Sequence, residues 1–311
     1  MKFFGEAARG EGAEAQAIDA FCFGDDAFFV VVQATDEEEE IVGSALLRVP
    51  MDAPRDFRVL DEFDTAALNY WTPGPELHFV HASGRTLRRV AGGRIEVFPF
   101  DQFDTSLMQM VGTNDGTVIV YGDNGLALRL AGDEFVRVGT DLTKNLHAMH
   151  MNSRGLAAAG GNFGNFSMGP IGSLQRVDLG IGGRITGLLV REDNSIAIAV
   201  KGDAARELRE DELRSYDDHD EPWSSIAEFH EFEFWGDNEY GVFLRRADSF
   251  VPVFETQYAF RMNGTKSHLA ITSSYAVRFF DGAKWRNFEV QTDPDEPLVE
   301  AELDFTPNWP V

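Results

Sequence analysis

Cysteine, lysine and long apolar runs are what this chain of 311 residues has least of. Its one cysteine, Cys22, excludes an internal disulfide framework, and its place between Phe21 and Phe23 predicts a buried small hydrophobe in a reducing compartment. The longest apolar run, residues 27–32, has the length of a strand and falls far short of the roughly 20 residues of a membrane helix. With only two apolar aromatics before Gly5 and Glu6, no secretory signal is expected, and the expected location is the cytoplasm.

Signatures of catalysis are equally scarce. There is no Gly-x-Ser-x-Gly elbow, phosphate-binding loop, dinucleotide fingerprint, His-Glu-x-x-His or Cys-x-x-Cys. The pairs His78/His81 and His147/His150 have i, i+3 spacing, which strand alternation sends to opposite faces, away from a shared ion. His219, inside the acidic run 217–221, lacks a calcium-loop spacing. The expectation is therefore no catalytic residue, no metal and no cofactor.

Lysine occurs at five positions only, and 52 acidic against 27 basic residues leave a net charge of −25. Such a field repels phosphate backbones and anionic lipid and attracts basic partners, so neither nucleic acid nor a membrane surface is expected. The acidity is sectored. Residues 203–233 hold 12 acids and 3 bases, whereas the longer span 103–183 holds 7 and 5. General adaptation to a salty habitat does not explain that contrast.

What is present in quantity is short strand patterns joined by turn residues. Phe63-Asp64-Thr65 recurs as Phe103-Asp104-Thr105 after 40 residues, and Gly122-Asp123 recurs as Gly202-Asp203 after 80, each pair closing an apolar strand. The clearest unit reads as strands at 106–112, 118–122, 126–130 and 134–138 with Gly, Asn and Asp between them. This predicts an all-β chain in one domain: a seven-bladed β-propeller with four-stranded antiparallel blades near 15–62, 63–102, 103–142, 143–183, 184–222, 223–256 and 257–290. Residues 291–311 are left as a closing or capping segment, and Lys2 to Phe4 as a candidate extra strand. Local propensity favours a helix over 204–216, capped by Asp203, but the repeat register makes 206–209 and 213–216 the outer strands of the fifth blade.

Gly122-Asp123-Asn124-Gly125, a strand with a central arginine, then Phe135-Val136-Arg137-Val138 resembles the short blades of WD40-like and regulator-type propellers, over 15–290. The Trp-Asp and Gly-His pairs of true WD40 repeats and the sialidase-type box are absent. The resemblance implies a platform for interaction or sensing.

Two features invite a partner. Residues 160–172 carry Phe163, Phe166, Met168 and Ile171 among glycines, either as an adaptable apolar contact surface or as an irregular buried strand. The acidic sector offers Glu210, Asp211, Glu212, Asp217 and Asp218 for steering, with Glu37 to Glu40 as a further acidic loop. The expected function is a monomeric, non-enzymatic module that binds a basic protein, for example as an inhibitor or immunity protein of a basic toxin. The rival is a small-molecule hydrolase or lyase with carboxylates from several blades at the mouth of the central channel.

Overall fold

The 40-residue period resolves into strands that pair strictly with their neighbours in the chain. The computed structural model describes residues 14–36, 40–83, 85–103, 106–113, 115–216, 223–237, 239–254 and 261–303. Blade 1 comprises β1 (Glu14–Cys22), β2 (Ala27–Thr35), β3 (Ile41–Pro50) and β4 (Arg58–Phe63); blade 2 comprises β5 (Ala67–Gly74), β6 (Leu77–Ala82), β7 (Thr86–Ala91) and β8 (Arg94–Pro99). Blade 3 has β9 (Leu107–Gly112), β10 (Val118–Gly122), β11 (Ala127–Ala131) and β12 (Glu134–Arg137); blade 4 has β13 (Leu146–Met151), β14 (Leu156–Gly161), β15 (Phe166–Pro170) and β16 (Gln175–Val177). In blade 5 come β17 (Arg184–Val190), β18 (Ile196–Lys201), β19 (Arg206–Arg209) and β20 (Glu212–Ser215), and in blade 6 β21 (Trp223–Phe229), β22 (Phe232–Asp237), β23 (Gly241–Arg246) and β24 (Ser249–Phe254). Blade 7 has β25 (Arg261–Gly264), β26 (Leu269–Thr272), β27 (Ala276–Phe280) and β28 (Trp285–Val290), and adds a fifth strand, β29 (Leu298–Ala301), outside β28. The chain is all-β in seven antiparallel blades, one of them five-stranded rather than four. Residues 204–216 form strands and not the helix that local propensity favours.

Second strands show no alternation because both of their faces are buried. On β2, Phe28, Val30 and Val32 pack with Phe279 and Phe288 of blade 7, while Phe29 and Val31 pack with Tyr70 and Val80 of blade 2. The unbroken run 27–32 thus serves two interfaces at once. β18 repeats the device: Ile196, Ile198 and Val200 face blade 4, and Ala197 and Ala199 face Trp223 and Trp235 of blade 6.

Backbone contacts group the blades into two units. One holds blades 1, 2 and 7 with the hairpin tip 228–231; the other holds blades 3 to 5 and the rest of blade 6. In the first, blades 1 and 7 meet through Ala17 N donating to Ser274 O (2.8 Å), Thr265 Oγ1 donating to Cys22 O (2.6 Å), and the Asn263 amide donating to both Asp19 and Ala20 O.

First strands share a β-bulge. One extra residue interrupts the ladder at Ile18, Leu68, Met108, His147 and Thr186, in blades 1 to 5. In blades 2 to 5 the bulge lies near the start of the strand and in blade 1 at its middle, and in each it adds local twist.

Candidate interaction surfaces

A blade that runs strand by strand as a meander has two distinct ends. The turns between first and second strands and between third and fourth strands lie at one; the turn between second and third strands and the link to the next blade lie at the other. Within the four-blade unit, like ends of neighbouring blades meet: Gly164 N, in the second-to-third turn of blade 4, donates to Gly183 O (2.6 Å) at the entry to β17, where Arg184 pairs with Lys201 at the end of β18.

That turn in blade 4 is built like its counterpart in blade 3. Gly122-Asp123-Asn124-Gly125 and Gly161-Asn162-Phe163-Gly164 both close a second strand with one short 3-10 turn, and both put their third residue in the left-handed region, Asn124 at φ 56° and Phe163 at φ 59°. The fourth residue must be glycine in each. Its φ is +71° or +64°, and a Cβ would stand 1.9 Å from Leu142 O or 1.8 Å from Ile181 O. Nothing comparable requires phenylalanine at the third position. Asn tolerates left-handed backbone, whereas for a bulky side chain it costs about 1 kcal/mol. Phe163 is also 75% exposed, so burial of its ring offsets none of that. Tyr240, in the corresponding turn of blade 6, is 52% exposed. In the other unit the same turn of blade 7 exposes Tyr275, whose hydroxyl donates to Glu14 (3.4 Å).

Its neighbours in the glycine-rich segment behave differently. Phe166 is fully buried on β15 beside Ile185 and Ile198, the half-buried Met168 packs into the same cluster, and the half-buried Ile171 lies against the core between blades 3 and 4. Residues 160–172 are therefore a buried strand with one exposed aromatic at its leading turn. Ile171 sits in the third-to-fourth turn, at the end opposite Phe163.

Glu210 and Asp211 form the third-to-fourth turn of blade 5, both left-handed (φ 49° and 67°) and both exposed, with Glu212 opening β20. A two-residue hairpin turn of this kind favours Asn-Gly. Glu212 pairs with Arg214 (2.9 Å), but neither Glu210 nor Asp211 meets a cation among the described residues. Asp217 and Asp218, like Glu37 to Glu39, lie outside the described residues. The structure thus brings Glu210, Asp211 and Glu212 to the same blade end as Ile171 and places Phe163 at the other.

Part of the acidic sector is internal. Glu207 is buried and Glu233 half-buried between blades 5 and 6, held by Arg191 and Arg245. Arg191 reaches Glu207 at 3.1 Å and also bonds Glu233; Arg245 reaches each carboxylate at 3.0 Å and lies over the Tyr216 ring (4.0 Å to the centroid). Burial by itself would raise the Glu233 carboxyl, but its bonds to Arg191 and Arg245 outweigh it and hold the carboxyl below its ordinary range. At the blade end nearby, Arg209 links Glu207 to Asp193 (3.2 and 3.0 Å). Sequence reasoning counted Glu207 and Glu233 with the surface charge, because Arg191 and Arg245 lie 12 to 42 residues away from them.

The other titratable groups are structural in their contacts. His78 accepts from Tyr70 OH at Nδ1 (2.9 Å) and donates from Nε2 to Pro75 O (3.0 Å), and burial pushes its ring down to about 4. His81, buried, is likewise pushed down to about 4. In blade 4, His147 bonds Asn162 (3.0 Å), while His150 Nδ1 accepts from Val190 N (3.0 Å). His147 and His150 thus take separate partners, and His78 is bonded at both ring nitrogens. Cys22 is buried, and burial raises its thiol to about 12. Asp19 is the most perturbed carboxyl: burial raises it to about 7 despite the pull of Arg261 and bonds from Ala20 N and Asn263. Sequence reasoning missed it; its signal is an aspartate inside the otherwise apolar run 17–22.

Neither a protein-family model nor a curated protein matches the chain. Solved structures do. The computationally designed Ika8 protein is similar over 94% of this chain and 97% of its own, with a TM-score of 0.67 and 10% identity. YCF48 bound to D1 peptide is similar over 85% of this chain and 93% of its own, with a TM-score of 0.58 and 11% identity. At these identities the likeness is one of fold, and the fold of this chain is that of a seven-bladed β-propeller.

Proposed function

We propose that the chain is a protein-binding module of the WD40-like kind whose basic partner docks on the acidic blade end of the four-blade unit, around Glu210, Asp211 and Glu212. The observation that carries this reading is the turn itself. Two adjacent exposed carboxylates occupy left-handed positions that the fold would fill at lower cost with Asn-Gly, and they have no cation to offset their repulsion among the described residues. A cationic partner supplies that offset. Asp115, Asp133, Glu134 and Asp248 lie in or beside turns at the same end, as do Glu192 and Asp193, which Arg154 (3.6 Å) and Arg209 (3.0 Å) offset in part, and the excess of carboxylates makes a long-range field for such a partner. Half-buried Ile171 adds apolar area beside it. A solved propeller of this fold, YCF48, is seen bound to a peptide, in keeping with a binding role.

The test is capture on the immobilised chain, run in parallel with the E210K/D211K/E212K variant. Basic proteins retained by the wild type at low salt and lost from the folded variant support the reading, and association that slows with salt while dissociation changes less identifies steering. Equal retention by both proteins overturns it.

A further inference from the structure

The opposite end of the same unit has different chemistry. Around Phe163 the chain places three cations: Lys144, next to Asn145, whose carbonyl accepts from Asn162 N (3.1 Å); Arg184, next to Gly183, whose carbonyl accepts from Gly164 N (2.6 Å); and Lys201, paired with Arg184 in the β17–β18 ladder. None of the three has an ion pair or side-chain hydrogen bond among the described residues, and two of them are among the chain's five lysines. The carboxylates in the flanking turns are Asp123, Asp141 and Asp178, with Asp203 already taken by Arg206 (2.8 Å). In a chain of net charge −25, an end where three cations without an ion pair among the described residues flank an exposed ring is an exception to the general surface.

The turn that carries the ring is held in place. Gly161 N donates to Asn165 O (2.9 Å), the Asn165 amide to Asn162 O (2.8 Å), and Asn162 meets His147 (3.0 Å), so the turn that carries Phe163 is bonded on both flanks. An exposed aromatic on a fixed turn has only two side-chain torsions to lose on binding and is the kind of anchor that dominates an interface. Long Lys and Arg side chains on either side supply charge without covering it.

We infer that the Phe163 end is a second binding site, separate from the acidic end, and that its ligand is an acidic peptide segment. An apolar or aromatic side chain of that segment stacks on Phe163, and carboxylates on either side meet Arg184 and Lys201, or Lys144. A membrane or a nucleic acid is a poorer fit, because the field of −25 repels extended polyanions while a short segment meets only the local cations.

The experiment uses the full chain against an array of random decapeptides, with F163N and R184E in parallel. Asn is the residue that the sister turn carries as Asn124, so F163N keeps the turn and its melting temperature does not fall. The expected result is a set of binders lost in F163N that is enriched in Asp and Glu together with an aromatic or aliphatic residue; in solution these bind F163N and R184E at least tenfold more weakly by fluorescence anisotropy. Binders that depend on Phe163 but are enriched in Lys and Arg overturn the proposal, as does an array on which no binder depends on Phe163. Peptides lost in E210K/D211K/E212K yet retained by F163N report the acidic end, so the two sites fail or stand separately.

Discussion

Phe163 and Phe166 stand three residues apart in one glycine-rich segment, and they lead opposite lives. Phe166 is inside, packed among Ile185, Leu188 and Ile198 of blade 5; Phe163 is outside on a strained turn. The same contrast separates Glu207, held by three arginines, from Glu210, three residues on and unpartnered among the described residues. In each pair one residue is accounted for by folding and the other is not. What folding leaves unexplained is where a binding role is to be sought.

Substitutions that pit one member of a pair against the other sharpen this contrast. The largest effects fall on the inner members. Phe166→Ala opens a cavity in the blade 4–blade 5 core and is expected to cost about 3–5 kcal/mol in urea unfolding. Glu233→Ala leaves Arg191 and Arg245 sharing the one carboxylate of Glu207 and is expected to cost about 3 kcal/mol. Both lie in one unit, and their unfolding midpoints should fall together.

Acid and base titrations probe the other unit. Unfolded, the rings of His78 and His81 take a proton below the ordinary value of 6.5; folded, they resist it down to about 4, so each stabilises the fold above pH 6.5 and loses that contribution as pH falls to 4. Asp19 acts in reverse. Its folded carboxyl keeps its proton up to about 7 while the unfolded one loses it near 3.8, so its burial costs stability as pH rises between those values. At ~1.4 kcal/mol per pH unit, two histidines contribute about 7 kcal/mol against about 4 for Asp19, and stability should rise from pH 4 to 6.5. Asp19→Asn, which keeps an acceptor for Ala20 N, should steepen that rise and stabilise the protein at pH 7. A profile unchanged by D19N would deny Asp19 its proton.

The outer members should barely register. Phe163→Asn relieves left-handed strain and is expected to stabilise by about 0.5–1 kcal/mol. The triple E210K/D211K/E212K change should leave the melting temperature within a few degrees, because exposed turn charges contribute tenths of a kcal/mol.

Much of the architecture is legible along the chain. Gly122 and Gly202 do close or follow second strands two blades apart, and the register that aligns them overrides the helical look of 204–216, since tertiary pairing of β19 with β20 outweighs propensity. The bulges at Ile18, Leu68, Met108, His147 and Thr186 are invisible in sequence, because an inserted residue has no fixed type. The equivalence of Asn124 and Phe163 could have been seen from two Gly-x-x-Gly turns 39 residues apart. That Phe163 and Glu210 lie at opposite blade ends follows from counting turns along a meander, and it divides what the sequence alone grouped as one partner surface.

Hydrogen exchange read by mass spectrometry on the complex with the captured basic partner addresses the division of the two ends most directly. The account predicts new protection across the turn at residues 209–212 with no change across 161–165. Protection at 161–165 with none at 209–212 would contradict it, placing the basic partner on Phe163.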